Sequence, residues 1–199
     1  MDTLPEISLD FDEEKHIYSH RGIKLQSVTQ IMEPMSLIAY KDVPRSTLEN
    51  AADRGTRVHE QVSADVIYGV LETDEDTEPY IAAWKSFKDS FTFEWLASEY
   101  RVFHKDMNYA GTIDLIAKAG DDSVDIIDIK TTAQFHGVLL SVQLAAYAEA
   151  LKSQGVKVRD LYGLQLLNNG KYHFEKIKGD YNLFIHSLAI MNAMAQDGR

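Results

Sequence analysis

The chain contains no cysteine, and this absence removes several kinds of site at once. Disulfide bonds, thiolate nucleophiles, cysteine-ligated zinc and iron–sulfur clusters are all excluded. Any metal must therefore be bound by histidine, aspartate, glutamate or backbone oxygen. The lack of cysteine is also consistent with a reducing compartment.

Long apolar runs are missing as well. The sequence has no stretch of about 18 apolar residues, and its first residues are acidic where a signal peptide would be basic. We therefore expect neither a membrane span nor secretion, and we predict a cytoplasmic protein. Glycine and proline are few, with 11 and 4 copies, while 45% of the 199 residues are hydrophobic. This composition predicts a folded globular chain with a substantial core.

Basic residues are in the minority, and the imbalance is local. The chain has 20 Lys and Arg against 31 Asp and Glu, a formal charge of −11 that argues at first against a nucleic-acid partner. Residues 1–14 contain six acids and no base, and residues 72–78 contain five acids and no base, which together account for the whole excess. We expect both segments to lie away from any binding cleft and Lys and Arg to line its approach. The alternative is a protein whose acidic surface mimics DNA.

The spacing of apolar residues predicts an α/β fold, with a mixed central β-sheet flanked by helices. We predict strands at 7–11, 16–19, 23–25, 99–104, 109–117, 124–130, 161–167 and 172–177. Helices are predicted from 27 to near Pro34, from 46 to 70 with an interruption at Gly55, and at 79–91, 139–151 and 181–195. Ser46-Thr-Leu-Glu49 has the form of a capping box. The passage 124–167 is long enough for a right-handed crossover between parallel strands. We divide the chain into an N-terminal β-hairpin and helix extension, 1–45, and a core, 46–199, within one compact unit.

Two neighbouring strands carry the residues that point to chemistry. A turn centred on Asp121 would place Asp114 opposite Asp128, and Lys130 would share a face with Asp128 because alternate side chains of a strand point the same way. Facing carboxylates are destabilising unless a cation neutralises them, and hard oxygen ligands favour Mg²⁺ or Mn²⁺. The competing interpretation is an exposed hairpin with a Lys–Asp salt bridge. Against it, the strand 124–130 is otherwise apolar, as buried strands are, and buried charge needs partners.

These residues and several others resemble a known family, because their motifs follow one another along the chain in the order found in that family. Gly55-Thr-Arg-Val-His59, Asp114, the Asp128-Ile-Lys130 triplet with Thr131, and Gln143-Leu-Ala-Ala-Tyr147 together resemble the RecB-like branch of the PD-(D/E)XK nuclease superfamily. Phe11-Asp-Glu-Glu-Lys-His16-Ile-Tyr18, Ser27-Val-Thr29 and Glu99 are similar to the mitochondrial genome maintenance exonuclease and related bacteriophage exonucleases. The resemblance spans residues 11–177.

The resemblance implies a restriction-endonuclease-like core and a site for Mg²⁺ or Mn²⁺. It implies Lys130, Asp114 and Asp128 as catalytic residues, and as metal ligands His59, Asp114, Asp128 and the backbone carbonyl of Ile129. Supporting or substrate-binding roles are implied for Gln143, Tyr147, Glu99, Ser27 and Thr29. The family often has proline where Gln26 stands here. Some RecB-like nucleases carry an iron–sulfur cluster, which the absence of cysteine excludes.

Several of these residues also have a purely structural interpretation. His59 shares a helical stripe with Val62, Val66 and Val70, where a histidine is usually a core or boundary residue. Gln143 and Tyr147 would be helix surface and core, and Ser27 and Thr29 would cap a helix instead of binding phosphate. Trp84, Phe87 and Trp95 could stack bases of a single strand, but core packing is the favoured use of these aromatic residues.

The sequence therefore predicts a metal-dependent deoxyribonuclease, most specifically an exonuclease that acts on single-stranded DNA ends. The nuclease class rests on the site residues, whereas the strand and end preferences rest on the resemblance. One alternative is a double-strand DNA recombination exonuclease or a structure-specific endonuclease on the same core. Another is a nuclease-like fold retained only to bind nucleic acid or protein. DNA is the expected partner, and the resemblance suggests a bacterial or phage-infected cell.

Overall fold

The computed structural model describes residues 3–13 and 15–197, which contain an eight-stranded sheet with helices on both faces. The strands are β1 Asp10–Asp12, β2 Ile17–His20, β3 Ile23–Ser27, β4 Trp95–Phe103, β5 Tyr109–Ala119, β6 Ser123–Lys130, β7 Lys157–Leu166 and β8 Tyr172–Lys176. The helices are α1 Val28–Ile31, α2 Glu33–Ala39, α3 Arg45–Tyr68, α4 Glu78–Ser90, α5 Gly137–Ser153 and α6 Tyr181–Asp197.

The sheet follows the order β1-β2-β3-β5-β6-β7-β8, and β4 pairs with β5 beside this path. β6 and β7 are parallel and α5 connects them, as the crossover prediction requires. The predicted α/β class with a mixed central sheet is therefore confirmed. β3 also pairs with β5, so the N-terminal extension and the core share one sheet. None of the helices in the described part of the chain is long and apolar enough to cross a membrane.

Apolar side chains build a core on each face of the sheet. On one face, α1, α5 and α6 pack against Ile116 and Ile126. On the other face, α3 and α4 pack against Leu115 and Ile127. The alternation of side chains along β5 and β6 produces this division. Trp84 and Phe87 are fully buried in the second core, and Trp95 packs against it, so the core-packing interpretation of these residues is confirmed.

The register of the β5–β6 hairpin is the one predicted from a turn centred on Asp121. Leu115 lies opposite Ile127, and Ala119 lies opposite Ser123. The backbone pairs end at Leu115 and Ile127, one residue short of Asp114 and Asp128. The two carboxylates therefore stand where the strands begin to separate.

Two helix predictions are wrong. Gly55 does not interrupt α3, because its role is close packing: a Cβ there would lie 3.3 Å from Thr131 Oγ1. Ser46 does not cap the helix, since α3 begins at Arg45 after Pro44 and Glu49 accepts a hydrogen bond from Arg45. The helix that follows Ser27 does stop near Pro34, since α1 ends at Ile31, but a further helix, α2, begins at once and carries Pro34 in its first turn, where a missing N–H costs nothing.

Two predicted ends also shift. The first strand begins at Asp10 and not at residue 7, and it pairs with β2 only through Asp10–Asp12 in the described residues. At the other end of α3, the helix stops at Tyr68 with Gly69 in the left-handed conformation that helix ends favour. Val70 therefore lies outside the helix and is half exposed.

Candidate active site

The candidate site lies in a gap along one edge of β5. β3 is paired with this strand at Tyr109 and Ala110, and β6 is paired with it at 115–119. β4 pairs with β5 at both places, so β3 and β6 share the opposite edge. β3 runs parallel to β5 and β6 runs antiparallel, so their carboxyl-terminal ends point at each other across residues 111–114. Side chains from three strands therefore meet in this gap.

Asp114 ties the strands together at the gap. Its Oδ2 accepts a hydrogen bond of 2.6 Å from the backbone N–H of Ile129. Its other carboxylate oxygen, Oδ1, lies 3.4 Å from Nδ1 of His59. The histidine and the attraction of Lys130 hold the pKa of Asp114 below its usual range, although burial works in the opposite direction. Asp114 is therefore an ionised carboxylate in a buried position.

Glu99 reaches the same place from β4. Its neighbours Ser98 and Tyr100 pair with Leu115 and Ile113, which puts Glu99 beside Asp114. Glu99 Oε1 lies 3.7 Å from His59 Nδ1. The backbone of Glu99 has φ of 51°, a left-handed conformation that is uncommon for glutamate. Such strained residues cluster at functional sites, where the surrounding structure must hold them in place.

His59 completes the group from α3, one helical turn after Gly55. Its Nε2 lies 3.1 Å from the carbonyl oxygen of Ile129, so both ring nitrogens face oxygen atoms. Burial favours the neutral ring, but Asp114 and Glu99 outweigh it and raise the pKa of His59 to about 10. The imidazolium thus supplies a positive charge among these oxygens. His59, Glu99 and Asp114 each offer a ligand atom within 4.8 Å of the others, so this group could hold a metal ion.

Asp128 and Lys130 lie beside this group at the end of β6. Asp128 is 1% exposed, and neither of its carboxylate oxygens accepts a hydrogen bond. Lys130 Nζ is nevertheless 2.6 Å from Oδ2, which makes an ion pair without favourable hydrogen-bond geometry. Burial, more than any neighbour, raises the pKa of Asp128 to about 6. Burial lowers the pKa of Lys130, but Asp128 and Asp114 outweigh that effect and raise it.

Gln143 and Tyr147 form a hydrogen-bonded chain behind the lysine. Lys130 Nζ donates to Gln143 Oε1 at 3.2 Å, and Gln143 Nε2 donates to the Tyr147 hydroxyl at 3.2 Å. The tyrosine ring packs against Gly111, where a Cβ would lie 2.6 Å from a ring carbon. A glycine inside a buried strand often marks such a close approach, and this is the sequence signal at Gly111.

Ser27 and Thr29 lie at the other side of the gap. Ser27 is buried at the end of β3, where its hydroxyl accepts a hydrogen bond from the N–H of Gln30. Gln30 Oε1 accepts from Ser27 N, which completes a capping box on α1. The two hydroxyls lie 3.0 Å apart. The structure thus shows these residues as a helix cap, and their binding of phosphate stays a prediction.

An open cleft of about 730 Å³ leads to the group. One wall is α3 from Ala51 to Glu60, and residues 129–132 form the floor. The opposite wall contains Phe11, Glu13, His16 and Tyr18 from the β1–β2 hairpin, together with Glu99, Arg101 and Thr112.

The prediction that the acidic N-terminal segment lies away from the cleft is therefore wrong for part of that segment. Glu13 lines the cleft, because the hairpin that carries it packs Phe11 against Tyr18 with ring centres 4.5 Å apart. Asp2 and Glu14 lie outside the described residues. The segment 72–78 does not contribute to the cleft wall, since Asp74 and Asp76 bind the guanidinium of Arg57. Arg101 and Lys130 line the cleft as predicted for basic residues, but Glu60 and Glu99 stand with them.

A comparison with protein families identifies the group to which these residues belong. The family model of the PD-(D/E)XK nuclease superfamily matches residues 47–180. The chain belongs to this superfamily. The matched region contains His59, Asp114, Asp128 and Lys130, and the resemblance drawn from the sequence is confirmed at this level.

Similarity of the PD-(D/E)XK chain to solved structures is low, and no curated protein matches it. An alkaline exonuclease from Laribacter hongkongensis is 11% identical, with a TM-score of 0.46, over 72% of this chain and 80% of that one. The same exonuclease in complex with dAMP is 12% identical, with a TM-score of 0.41, over 87% and 89%. A protein described as SSO0001 is 16% identical, with a TM-score of 0.48, over 90% and 80%.

The residues of the site fit the divalent metal that PD-(D/E)XK nucleases use. Asp128 is buried, its Oδ1 has no partner and its Oδ2 has only the Lys130 ammonium beside it, so the carboxylate has room for a second cation to offset its charge. Asp114 and Glu99 add hard oxygen atoms, and His59 adds a nitrogen. Of the predicted ligands, His59, Asp114 and the Ile129 carbonyl lie together with Glu99, while the group of atoms within 4.8 Å of one another does not include Asp128.

Proposed function

We propose that the protein is a metal-dependent deoxyribonuclease that hydrolyses phosphodiester bonds. The observation that carries this proposal is the gathering of carboxylates, a histidine and a lysine where two strand ends meet on β5, next to an open cleft that His59, Glu99 and Lys130 line. His59, Asp114, Asp128 and the carbonyl of Ile129 would hold Mg²⁺ or Mn²⁺, and Glu99 would be a further ligand. The proposal needs each of these groups to face one ion, and therefore needs Asp128 to turn towards the group formed by His59, Glu99 and Asp114.

A bound divalent ion would lower the pKa of a water molecule and offset negative charge on the phosphate. The side chains of the protein provide the other requirements of hydrolysis. Lys130 keeps its proton because its neighbouring carboxylates raise its pKa, and its ammonium group would stabilise the charge that develops on the phosphate. Gln143 and Tyr147 hold that ammonium group in one direction through their hydrogen bonds. The raised pKa of His59 means that its ring must release a proton before it can bind a metal.

We further propose that the enzyme is an exonuclease that acts on single-stranded DNA ends. The support is the resemblance of residues 11–29 to the mitochondrial genome maintenance exonuclease and its phage relatives, together with the position of Phe11, His16 and Tyr18 in the cleft wall. The alternative on the same core is a double-strand recombination exonuclease or a structure-specific endonuclease. The same resemblance is the basis for proposing a place in DNA repair or recombination, in the cytoplasm of a bacterial or phage-infected cell.

End-labelled single- and double-stranded oligonucleotides, incubated with Mg²⁺, Mn²⁺ or a chelator, test the nuclease proposal. We expect cleavage with metal and none with chelator, and a loss of about 100-fold or more in Asp128→Asn and Lys130→Gln. Asp125→Asn is the matched control, since Asp125 is a buried acid of the same strand whose partner is Arg159, whereas the partner of Asp128 is Lys130. Cleavage that resists the chelator, or that both site variants retain, would overturn the proposal.

Circular single-stranded DNA tests the requirement for an end. An exonuclease degrades the linear strand and leaves the circle intact, whereas an endonuclease cuts both. A faster loss of double-stranded than of single-stranded linear DNA would favour the recombination-type alternative. Metal-dependent binding without any cleavage would instead indicate a nuclease-like binding module.

A further inference from the structure

Arg101 lies in the cleft wall with a polar partner that comes from a distant part of the chain. It stands two residues after Glu99 on β4, roughly 7 Å further along the strand. Its guanidinium carbon is 4.9 Å from the centre of the Phe11 ring. Its Nη2 lies 3.4 Å from Oε1 of Glu13. The β1–β2 hairpin therefore holds the guanidinium through an aromatic ring and a carboxylate.

The hairpin is itself anchored next to His59, Glu99 and Asp114, which together are called the metal group below. Phe11 packs on Tyr18, whose hydroxyl lies 2.8 Å from the hydroxyl of Thr112. Thr112 is the residue opposite Arg101 in the β4–β5 pairing. Arg101 thus has a fixed position relative to Glu99 and Asp114, which a solvent-exposed arginine on a loop would not have.

Arg101 is also the cleft cation that the metal group does not engage. Among the residues that line the described cleft, the other lysine or arginine is Lys130, which is paired with Asp128 and Gln143. The Arg101–Glu13 pair is open to solvent, with side-chain exposures of 43% and 81%. Ion pairs this exposed contribute little to stability, so another anion can replace Glu13 at small cost. Arginine binds phosphate with two parallel hydrogen bonds, which makes a phosphate the stronger partner.

We propose that Arg101 binds the backbone phosphate of the nucleotide next to the one held at the metal group, and that Glu13 occupies this phosphate position in the free protein. The inference rests on the proposed nuclease function and adds a substrate-binding residue and an internal competitor to it. Phe11 is a positioning residue, because its ring supports the guanidinium without touching the substrate. One acid of the N-terminal segment thereby acts as a weak stand-in for DNA.

Binding of a 5′-fluorescein-labelled single-stranded oligonucleotide, followed by anisotropy with Ca²⁺ and checked for integrity on a gel, tests the two roles. We expect Arg101→Gln to bind about tenfold more weakly and Arg101→Lys to fall between it and the wild type. The slope of log K against log salt should become less steep by about 0.7 in Arg101→Gln, the value for one phosphate contact on a single strand. In the Mg²⁺ cleavage assay, KM should rise while kcat changes little.

The Glu13 variant gives the opposite expectation. Glu13→Gln should bind the oligonucleotide about twofold to fivefold more tightly, because the competing carboxylate is removed. The double variant with Arg101→Gln should bind no more tightly than Arg101→Gln alone, since Glu13 acts through the guanidinium. Glu94→Gln is the matched control: Glu94 pairs with Lys118 at 3.1 Å, just before β4 begins, and does not line the cleft. It removes the same charge and should leave binding unchanged.

Three results would overturn the inference or its basis. Wild-type affinity and salt slope in Arg101→Gln would remove the phosphate contact. An equal gain in Glu94→Gln and Glu13→Gln would reduce the Glu13 effect to net charge. A wild-type protein that neither binds nor cleaves DNA would overturn the proposed function itself. Thermal unfolding of each variant provides the folding control, and Arg101→Lys and Glu13→Gln carry the test if Arg101→Gln unfolds.

Discussion

Asp128 combines burial, charge and a lack of hydrogen bonds in a way that has consequences for stability. Its ordinary pKa of 3.8 rises to about 6 in the folded, metal-free protein. A group whose pKa is raised by folding stabilises the fold below its unfolded pKa, and this contribution is lost as the pH rises through the folded value. At neutral pH and above, the ionised carboxylate therefore works against folding. The site accepts this cost because a cation offsets it when bound.

Replacing Asp128 by Asn should therefore stabilise the metal-free protein at pH 8. A shift from 3.8 to about 6 sets an upper limit of about 3 kcal/mol on the gain, and we expect roughly 1–2 kcal/mol after relaxation. At pH 5 the carboxyl is protonated in the fold but still ionised in the unfolded chain, so the gain should fall to about half, and it should vanish only well below the ordinary pKa of 3.8. Urea unfolding in EDTA at the two pH values measures the difference. Asp125→Asn should instead destabilise at pH 8, because it breaks the ion pair with Arg159, and a gain of equal size at both pH values for Asp128→Asn would contradict the argument.

Gly111 is a second residue whose importance comes from one close contact, in this case with the ring of Tyr147. A Cβ at this position would lie 2.6 Å from the Tyr147 ring, so Gly111→Ala must displace the ring and break its hydrogen bond with Gln143. Lys130 would then lose the support of that chain. We expect a loss of about 1–3 kcal/mol in stability and a fall of about tenfold in kcat. Gly120→Ala is the control, because nothing lies within 4 Å of its Cβ position, and equal effects of both substitutions would exclude the contact as the cause.

At the scale of elements, the approach of α3 to β6 decides where His59 stands. Gly55 and His59 are one turn apart on the same helix face, and the small glycine brings this face against Thr131. Larger side chains at 55 would push the helix away from the strand ends. The imidazole would then move away from Asp114 and from the carbonyl of Ile129.

Gly55→Leu should therefore weaken metal binding more than it weakens the fold. We expect Mg²⁺ affinity to fall by about tenfold or more, since the supporting contacts of a ligand control metal affinity. Isothermal titration with Mg²⁺ measures the affinity, and circular dichroism reports the helix content. Asn50→Leu introduces the same side chain at an exposed position of α3 and should leave affinity unchanged. Unaltered affinity in Gly55→Leu would show that His59 is not positioned by this contact.

The elements also show what local sequence can and cannot predict. The β5–β6 register follows from the turn around Asp121 and the alternation of apolar residues, and both act over short distances. Gly55 looked like a helix break because propensity alone disfavours glycine, whereas the packing partner Thr131 lies far along the chain. The left-handed backbone of Glu99 has no sequence signal, since glutamate rarely adopts it. Tertiary packing supplies both features.

The same limit applies to Arg101 and to the charge of the molecule. Counting charges along the chain locates the acidic excess in two segments, but it cannot tell which segment lies against the cleft. Glu13 reaches Arg101 because the β1–β2 hairpin folds over β4, a contact between residues 88 positions apart. The family resemblance, in contrast, implies the ligands His59, Asp114, Asp128 and the Ile129 carbonyl, and of these the structure brings all but Asp128 together with Glu99.

For the whole molecule, the site is a junction between α3, β4, β5 and β6, and its groups come from positions 59, 99, 114 and 128–130. The unfolded chain cannot present these groups together, so a metal that binds them binds the folded state alone. Such a ligand stabilises the entire fold by an amount that grows with its concentration, about 2.7 kcal/mol at 100 times its dissociation constant. Metal binding should therefore be visible as a rise in the unfolding temperature.

That rise should depend on pH with a definite sign. Before metal binds, Asp128 holds a proton below about pH 6 and His59 holds its second proton up to about pH 10, and both protons oppose the ion. At a fixed Mg²⁺ concentration, the increase in Tm should thus be small at pH 5.5, larger at pH 7 and larger again at pH 8.5, and EDTA should reverse it. Glu94→Gln should retain the full increase, and Asp114→Asn should lose it. If the increase were independent of pH, or survived in Asp114→Asn, the ion would be stabilising the fold from a place other than the junction of these four elements.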